Sequence, residues 1–172
     1  QEASKIIIGL FDKDHEGENQ LKIFKDTIPI EHSIFSKISI DKPLYIGLLP
    51  QPEEIKNICE LYCKENSISE KPKFQTPIEF MFPAELINIA IEQKILEFKD
   101  IFTCTTNQML PTKINLTEFY KEKLDKKYHY LTQEINDNTK VKFSAWIKDQ
   151  DTSYFSNFET LFEQIKSIIN QY

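Results

Sequence analysis

A short apolar run that ends abruptly in charged residues is the feature that most constrains what this 172-residue chain can fold into. The run Ile6–Phe11 consists of β-branched, aliphatic and aromatic residues around one glycine, and the polar segment Asp12–Gly17 follows it directly. An uninterrupted apolar run of this length, bounded by a polar loop, is typical of a strand that is covered on both faces. Leu21 and Phe24 then recur at helical spacing within Asn19–Ile28. The sequence therefore predicts a buried strand, a polar loop and a helix.

A second strand and helix follow in the same order. Leu44–Leu49 has the composition of another buried strand, and Glu53–Glu65 carries its apolar residues on one helical face. A short strand is also expected at Ile38–Ile40. Strands that alternate with helices predict an α/β fold with a short, mostly parallel sheet flanked by helices. In such a sheet, functional groups gather in the loops at the carboxyl ends of the strands.

Further helices are predicted along the rest of the chain. They are expected from Pro83 to about Phe98, from Asn115 to about Ile135, over Lys140–Asp149, and over a final amphipathic segment that Asp151 caps. The length fits one domain. We therefore expect a single domain over residues 1–172, with a sheet-containing part at 1–112 and a helical part at 113–172.

The charge and the cysteine content limit the classes of function that this chain can have. The net charge is −6 and all 21 basic residues are lysines, which disfavours non-specific nucleic-acid binding because phosphate attraction supplies most of that affinity. A metal ion bound by a carboxylate cluster would reverse the sign of the local charge. The three cysteines are unevenly spaced, which favours reduced thiols and a cytoplasmic location. No apolar run approaches the length of a membrane span, so no membrane partner is expected.

Two carboxylates at the end of the first strand are the strongest candidate site. Asp12 and Asp14 stand two residues apart, so they are expected to point to the same side and to flank a hard cation such as Mg²⁺ or Mn²⁺. The plain alternative is a solvated turn in which Asp14 caps the next helix. The preceding strand and the glycine at position 17 favour the metal site.

Other metal-binding and phosphoryl-transfer motifs also contain two aspartates with this spacing. An EF-hand loop beginning at Asp12 is excluded because Ile23 stands where the bidentate Glu is required. A phosphatase of the haloacid dehalogenase type, with Asp12 as nucleophile, remains an alternative, although His15 and Glu16 depart from its motif. Cys59 and Cys63 have a spacing that could bind zinc only with two further ligands, and buried thiols are the favoured interpretation.

Three further charged residues are candidates for the same site. Glu79 is a single acid within an apolar segment, and a third carboxylate is what a two-metal phosphodiester site requires. Lys140 and Lys142 precede an aromatic helix segment, and either could neutralise charge that develops on a scissile phosphate. Solvated surface positions are the plain alternative for all three.

Four pieces of the sequence, in this order, resemble the Toprim domain of topoisomerases, primases and OLD-type nucleases. They are IGLFDKDHEG at Ile8–Gly17, LLPQP at Leu48–Pro52, IEFMFP at Ile78–Pro83, and the K-x-x-F-x-A of Lys140, Phe143 and Ala145. The sequence is most similar to the Toprim domains that follow an ATPase module in bacterial anti-phage and OLD-like endonucleases. Only the first piece is specific to this family. The other three pieces support the resemblance by their order along the chain.

The resemblance implies a Rossmann-like α/β fold and Mg²⁺-dependent phosphodiester chemistry on DNA or RNA. It implies that Asp12 and Asp14 are catalytic metal ligands, that Glu79 is a further metal ligand, and that Lys140, and less well Lys142, binds substrate, with Lys140 also catalytic. The implied partners are nucleic acid, reached through a longer parent protein, and an ATPase domain or subunit.

One departure from the family pattern concerns the start of the chain. Toprim domains begin with a strand that ends in Glu, a full helix before the D-x-D strand, whereas only 11 residues precede Asp12 and Glu2 is too close to take that role. We therefore expect either a fragment of a larger protein or a degenerate domain, with weak metal binding and little activity in isolation. A non-catalytic α/β interaction module is accordingly the main alternative to a nuclease-type domain, and the phosphatase is the third.

Overall fold

The computed structural model describes residues 5–13, 15–24, 26–67, 76–102 and 122–172. In these ranges the strands are β1 (Ile7–Phe11), β2 (Ile28–Pro29), β3 (Phe35–Lys37), β4 (Leu44–Leu48), β5 (Phe98–Phe102) and β6 (Gln133–Ile135). The α-helices are α1 (His15–Ile23), α2 (Glu53–Asn66), α3 (Ala84–Glu92), α4 (Asp137–Ile147) and α5 (Glu159–Ile169). Short 3₁₀ helices span Ile78–Met81, Lys126–Thr132 and Thr152–Phe158.

The main sheet has four strands in the order β1-β4-β3-β2. β1 and β4 run parallel, with Ile7 opposite Leu44 and Phe11 opposite Leu48. β3 is antiparallel to β4, and β2 is antiparallel to β3. The predicted α/β class is confirmed, and the sheet is mixed, with the two expected strands as its parallel pair. A tight turn joins β2 to β3, with His32 at a φ of 58°, which lets the chain return antiparallel before β4.

The strand β1 lies at one edge of this sheet and is only partly buried. The side chain of Ile7 is 59% exposed, whereas Tyr45 of β4 is 2% exposed. Among the described residues, β1 pairs in the sheet with β4 alone. The expectation that β1 is covered on both faces is therefore wrong, because an apolar run has the same composition at the edge of a sheet as in its interior.

The core combines buried residues of the main sheet, of helices α2 and α3, and of the C-terminal part of the chain. Ile55 of α2 and Leu86, Ile87 and Ala90 of α3 are fully buried, as the predicted apolar faces require. Phe82 joins this core to the C-terminal part of the chain through edge-on ring contacts. Its ring centroid lies 5.6 Å from that of Phe143 and 5.3 Å from that of Phe155.

Three predicted helices begin or end elsewhere. α3 ends at Glu92, short of the expected Phe98, because Lys94 adopts a left-handed φ of 53° and Phe98 opens β5. The predicted helix from Asn115 lies partly outside the described residues. Its described end is a 3₁₀ helix and strand β6, which pairs antiparallel with β5 in a second, two-stranded sheet.

Helix α4 begins before the expected Lys140. The Asn136 side chain accepts a hydrogen bond from the backbone N–H of Asn138 and so caps the helix. Asp151 caps as predicted, accepting from the N–H of Ser153 at 2.8 Å. The helix that it opens is the 3₁₀ turn that leads into α5. In the part of the chain that the structure describes, no helix combines the length and the apolar character needed to cross a membrane.

Gly17 of α1 packs directly on the backbone that carries Asp12. A Cβ atom at Gly17 would lie 2.0 Å from the carbonyl oxygen of Asp12, which is far inside contact distance. A side chain at position 17 would therefore force α1 away from the end of β1. The glycine three residues after the D-x-D segment is thus a requirement of helix-to-strand packing.

We predict that Gly17→Ala destabilises the protein by about 1–3 kcal/mol, the usual effect of forcing an extra group into a packed site. This effect outweighs the gain of up to about 1 kcal/mol that alanine brings to a helix. Urea unfolding monitored by circular dichroism gives the difference in free energy. Gly9→Ala is the matched control, because its new Cβ would lie 3.5 Å from Ile46 Cγ2, an ordinary contact. Equal stabilities for the two variants would contradict the packing argument.

Candidate metal centre

A single pair of backbone hydrogen bonds brings two distant acidic residues together. Lys13, directly after Asp12, donates its N–H to the carbonyl of Thr76 at 3.2 Å and accepts from the N–H of Thr76 at 2.9 Å. This antiparallel bridge holds the segment after Thr76 against the carboxyl end of β1. The 3₁₀ helix Ile78–Met81 begins two residues later and carries Glu79. Asp12 and Glu79 therefore lie on neighbouring backbone segments.

Glu79 is a buried carboxyl group with one oxygen left without a hydrogen-bond partner. The residue is 6% exposed, and its Oε2 atom has no partner among the described residues. Burial raises the pKa of this carboxyl, while its own backbone N–H and the Lys140 ammonium oppose the shift. The negative charges of Asp12 and Asp137 raise the pKa further. The Glu79 carboxyl therefore lies in the field of two other acids and one lysine.

A cleft of about 280 Å³ is lined by Pro77 and Phe80, which lie on either side of Glu79 in the sequence, whereas Glu79 itself is not among the lining residues. Its lining combines the end of β1, the segment that precedes Glu79, strand β6 and the first turn of α4, namely Asp12, Pro77, Phe80, Gln133, Glu134, Ile135, Asp137 and Lys140. The start of α4 is fixed at the cleft by two hydrogen bonds. Asn136 donates its N–H to the carbonyl of Glu97 at 2.9 Å, and Thr139 Oγ1 accepts from the N–H of Glu97 at 3.2 Å.

Charges of alternating sign lie at one side of the cleft, where Glu134, Asp137 and Lys140 line it and Lys99 pairs with two of them. The Lys140 ammonium lies 3.4 Å from Asp137 Oδ1, and the Lys99 ammonium lies 3.6 Å from Asp137 Oδ2. Lys99 also forms a short ion pair with Glu134. The nearby ammonium of Lys140, followed by that of Lys99, lowers the pKa of Asp137. We call Glu134, Lys99, Asp137 and Lys140 the charge ladder.

The two candidate lysines have different surroundings. Lys140 lines the cleft and interacts electrostatically with Glu79. Lys142 instead donates a hydrogen bond from its ammonium to the backbone carbonyl of Lys94 at 2.6 Å, and it is not part of the cleft lining. The structure therefore brings Asp12, Glu79 and Lys140 together and leaves Lys142 apart.

Asp14 lies outside the described residues, so the second acid of the D-x-D pair has no described position. Sequence reasoning did not single out Asp137, Glu134 or Lys99. Asp137 stands three residues before Lys140, a spacing that puts both on one helical face. That signal would have identified Asp137 if the helix had been predicted to begin at Asn136.

The residues fit a hard divalent cation in their donor chemistry. Asp12 and Glu79 supply carboxylate oxygens, and Mg²⁺ commonly uses one or two carboxylates together with waters and substrate phosphates. The oxygen of Glu79 that lacks a partner is a further carboxylate oxygen, and it is buried. Among the described residues, however, no group of three or more His, Cys, Asp or Glu side chains is arranged to hold a metal ion. The fit to a divalent cation therefore rests on the carboxylates of Asp12 and Glu79, one oxygen of Glu79 being without a hydrogen-bond partner.

Comparison of the chain with protein-family models, with curated proteins and with solved structures gives no match. The Toprim resemblance, the nuclease activity and the metal cofactor therefore stay predictions.

We predict that Glu79→Gln changes how stability depends on pH. Because the pKa of Glu79 is raised above its ordinary 4.5, the folded protein binds more protons than the unfolded chain once the pH exceeds that value. The wild-type protein therefore loses stability, relative to the glutamine variant, as the pH rises from 4.5 through the folded-state pKa. Urea unfolding at several pH values, in the presence of a chelator, measures the difference.

Glu163→Gln is the matched control, because it makes the same chemical change at an exposed position on α5. A constant free-energy difference between wild type and Glu79→Gln across this pH range would contradict the burial of an ionisable Glu79.

Proposed function

We propose that this chain is a nuclease-type domain for Mg²⁺- or Mn²⁺-dependent phosphodiester chemistry on nucleic acid, with little activity outside a longer protein, and that Asp12, Glu79 and Lys140 form its site. One observation carries the proposal. A buried carboxylate with an unsatisfied oxygen lies in the field of a second carboxylate and a lysine, at the carboxyl end of a strand that is paired in parallel. The ends of parallel strands are where α/β folds collect their functional groups.

The loss of stability that the buried Glu79 carboxylate causes supports a functional role for this residue. A buried carboxylate that lacks a full set of partners destabilises the folded state. A leucine at position 79 would avoid that penalty in a domain with a purely structural role. Perturbed ionisable groups in a cleft are accordingly common in functional sites.

Each residue has a distinct role in the proposal. Asp12 and Glu79 would hold the cation, with Asp14 as the further ligand expected from the sequence. The cation would supply charge neutralisation at the scissile phosphate. Lys140, at the mouth of the same cleft, would bind a non-bridging phosphate oxygen and balance the negative charge of the transition state. The contact of Lys142 with the carbonyl of Lys94 favours Lys140 over Lys142 for this role.

The size of the cleft bears on which part of the substrate it takes. Pockets that enclose a whole small ligand usually exceed about 300 Å³, and this cleft is about 280 Å³. It suits a phosphate group and its cation better than a complete nucleotide. We therefore propose that recognition runs through the phosphate backbone, with the bases outside the cleft.

A non-catalytic interaction module is the second candidate. It is favoured by the lack of a three-ligand group in the described part of the chain. In that case Glu79 would be balanced by Lys140 alone, and the acids would bind no cation. We propose in the same way a cytoplasmic location, an ATPase domain or subunit as partner, and a longer parent protein.

We predict that Asp12→Asn and Glu79→Gln each weaken Mn²⁺ binding by about tenfold or more, because each removes a charged oxygen donor. Free Mn²⁺ in a titration of the protein, followed by electron paramagnetic resonance, gives the dissociation constants. Asp149→Asn is the matched control, since it removes the same charge from an exposed position beyond the end of α4.

Cleavage of plasmid DNA and of single-stranded RNA, measured in Mn²⁺, tests the reaction itself. Asp12→Asn is expected to abolish any cleavage that the wild-type chain catalyses. If the wild-type protein binds no Mn²⁺ at millimolar concentration, or if neither substitution affects binding, the interaction module becomes the better description.

A further inference from the structure

A second pocket, of about 240 Å³, lies at the carboxyl end of β4. The backbone N–H of Leu49 donates to the carbonyl of Phe11 at 2.9 Å, so the next residue of each segment, Pro50 and Asp12, leaves the sheet at the same edge. Pro50 lines the second pocket and Asp12 lines the cleft. The two concavities are therefore built on the ends of the parallel strand pair.

The 3₁₀ helix Ile78–Met81 contributes to both concavities. Phe80 lines the cleft, and the next residue, Met81, lines the second pocket. The two are thus neighbours across a single turn of backbone. We call the second pocket the amide pocket, because the side chains of Gln51, Asn157 and Gln164 in its lining end in carboxamides.

Two of these carboxamides are held in place by hydrogen bonds that use one half of each amide. Asn157 donates from Nδ2 to the carbonyl of Met81 at 2.7 Å. Gln164 Oε1 accepts from Ser33 Oγ and from the N–H of Ile34, both at 3.0 Å. Because an amide has an acceptor oxygen and an NH₂ donor, Asn157 can offer Oδ1 as an acceptor and Gln164 can offer Nε2 as a donor to a ligand.

The rest of the lining is apolar or neutral. Among the described residues that line the amide pocket, none is basic and Glu53 is the single acid. The pocket therefore differs from the cleft with its charge ladder, and it is unsuited to a phosphate group. Its volume is below the roughly 300 Å³ at which pockets usually begin to enclose a whole small ligand. A small, neutral, flat group with hydrogen-bonding edges fits this description.

We propose that the amide pocket binds one unpaired nucleobase of the nucleic acid whose phosphate occupies the cleft, with Asn157 accepting from the base and Gln164 donating to it. Amide side chains match the paired donors and acceptors on base edges. The proposal rests on the proposed function and specifies its substrate. Bases of a duplex are stacked and paired, so the base that enters is single-stranded or extruded.

A peptide amide could meet the same donor and acceptor. The adjacency of the phosphate-sized cleft favours a base, since a nucleic acid carries a phosphate and a base within one nucleotide. The substrate class is therefore single-stranded or locally unpaired nucleic acid.

Nucleosides without phosphate test the amide pocket by itself. Adenosine, cytidine, guanosine and uridine are each added at millimolar concentration, and the side-chain amide signals are followed by nuclear magnetic resonance. At least one nucleoside is expected to shift the signals of Asn157 and Gln164, while that of Asn57, exposed on α2, stays in place. No shift with any nucleoside overturns the proposal. Equal or larger shifts with N-acetylalaninamide assign the pocket to peptide and also overturn it.

Gln164→Glu tests the role of the donor in nucleic-acid binding. Glutamate keeps an oxygen for Ser33 and Ile34 but replaces the Nε2 donor by an acceptor. We expect it to weaken binding of a single-stranded DNA octamer by about tenfold, and to change binding of the corresponding duplex much less. Gln171→Glu adds the same charge at an exposed position beyond the end of α5 and is the matched control. Fluorescence anisotropy in Mn²⁺ measures all the affinities.

Gln51→Ala is the second variant. It removes one amide from the lining and leaves the hydrogen bonds that hold Asn157 and Gln164 intact, so it should weaken single-stranded binding several-fold without affecting the fold. Asn57→Ala is its control, and circular dichroism establishes that each variant is folded. Single-stranded affinities that equal those of the controls for both Gln51→Ala and Gln164→Glu would contradict the base pocket, as would tighter binding of duplex than of single strand by wild type.

The failure of this inference is distinguishable from the failure of the proposed function. If Asp12→Asn weakens Mn²⁺ binding but no nucleoside shifts the pocket amides, the cation site stands and the base pocket is overturned. If nucleosides shift those amides but wild-type protein binds no Mn²⁺, the base pocket stands and the phosphodiester chemistry is overturned.

Discussion

The backbone bridge between Lys13 and Thr76 is the interaction on which the candidate site depends. Its two hydrogen bonds connect the end of β1 to a segment that lies far along the sequence, and they fix where the 3₁₀ helix with Glu79 begins. Phe82, at the other end of that helix, anchors it among the aromatic rings of the C-terminal part. Glu79 is therefore held between a fixed strand end and a fixed core, which keeps its carboxylate buried beside Asp12 and Lys140.

The start of α4 completes the site from the opposite side. Hydrogen bonds from Asn136 and to Thr139 tie the first turn of the helix to Glu97, next to β5. Asp137 and Lys140 then project from one helical face toward the cleft. The main sheet supplies Asp12, the second sheet supplies Glu134, and a helix supplies the lysine. Lys99, Glu134, Asp137 and Lys140 pair with neighbours of opposite sign, whereas Glu79 is buried and keeps one oxygen without a partner.

Some of this arrangement could be predicted from the sequence, for identifiable physical reasons. The run before Asp12 is continuously apolar and the helix from Glu53 has one apolar face, so the α/β class and the parallel pair of strands followed from local pattern. The edge position of β1 could not be predicted, since pairing partners are not encoded in a strand's own composition. The β5–β6 pair was missed because its strands are short and far apart in sequence. Asp137 was missed because the helix containing it was predicted to begin three residues too late.

The separation of the site residues along the chain has a consequence for how the protein folds. Asp12, Glu79 and Lys140 come from the beginning, the middle and the last part of the sequence, so two long loops must close before they meet. Contacts of such high sequence separation form late and slowly, because the entropy of loop closure precedes any stabilisation. The contact of Gly17 with the backbone of Asp12, five residues earlier, needs no such loop closure. The end of β1 can therefore pack against α1 before the distant site residues arrive.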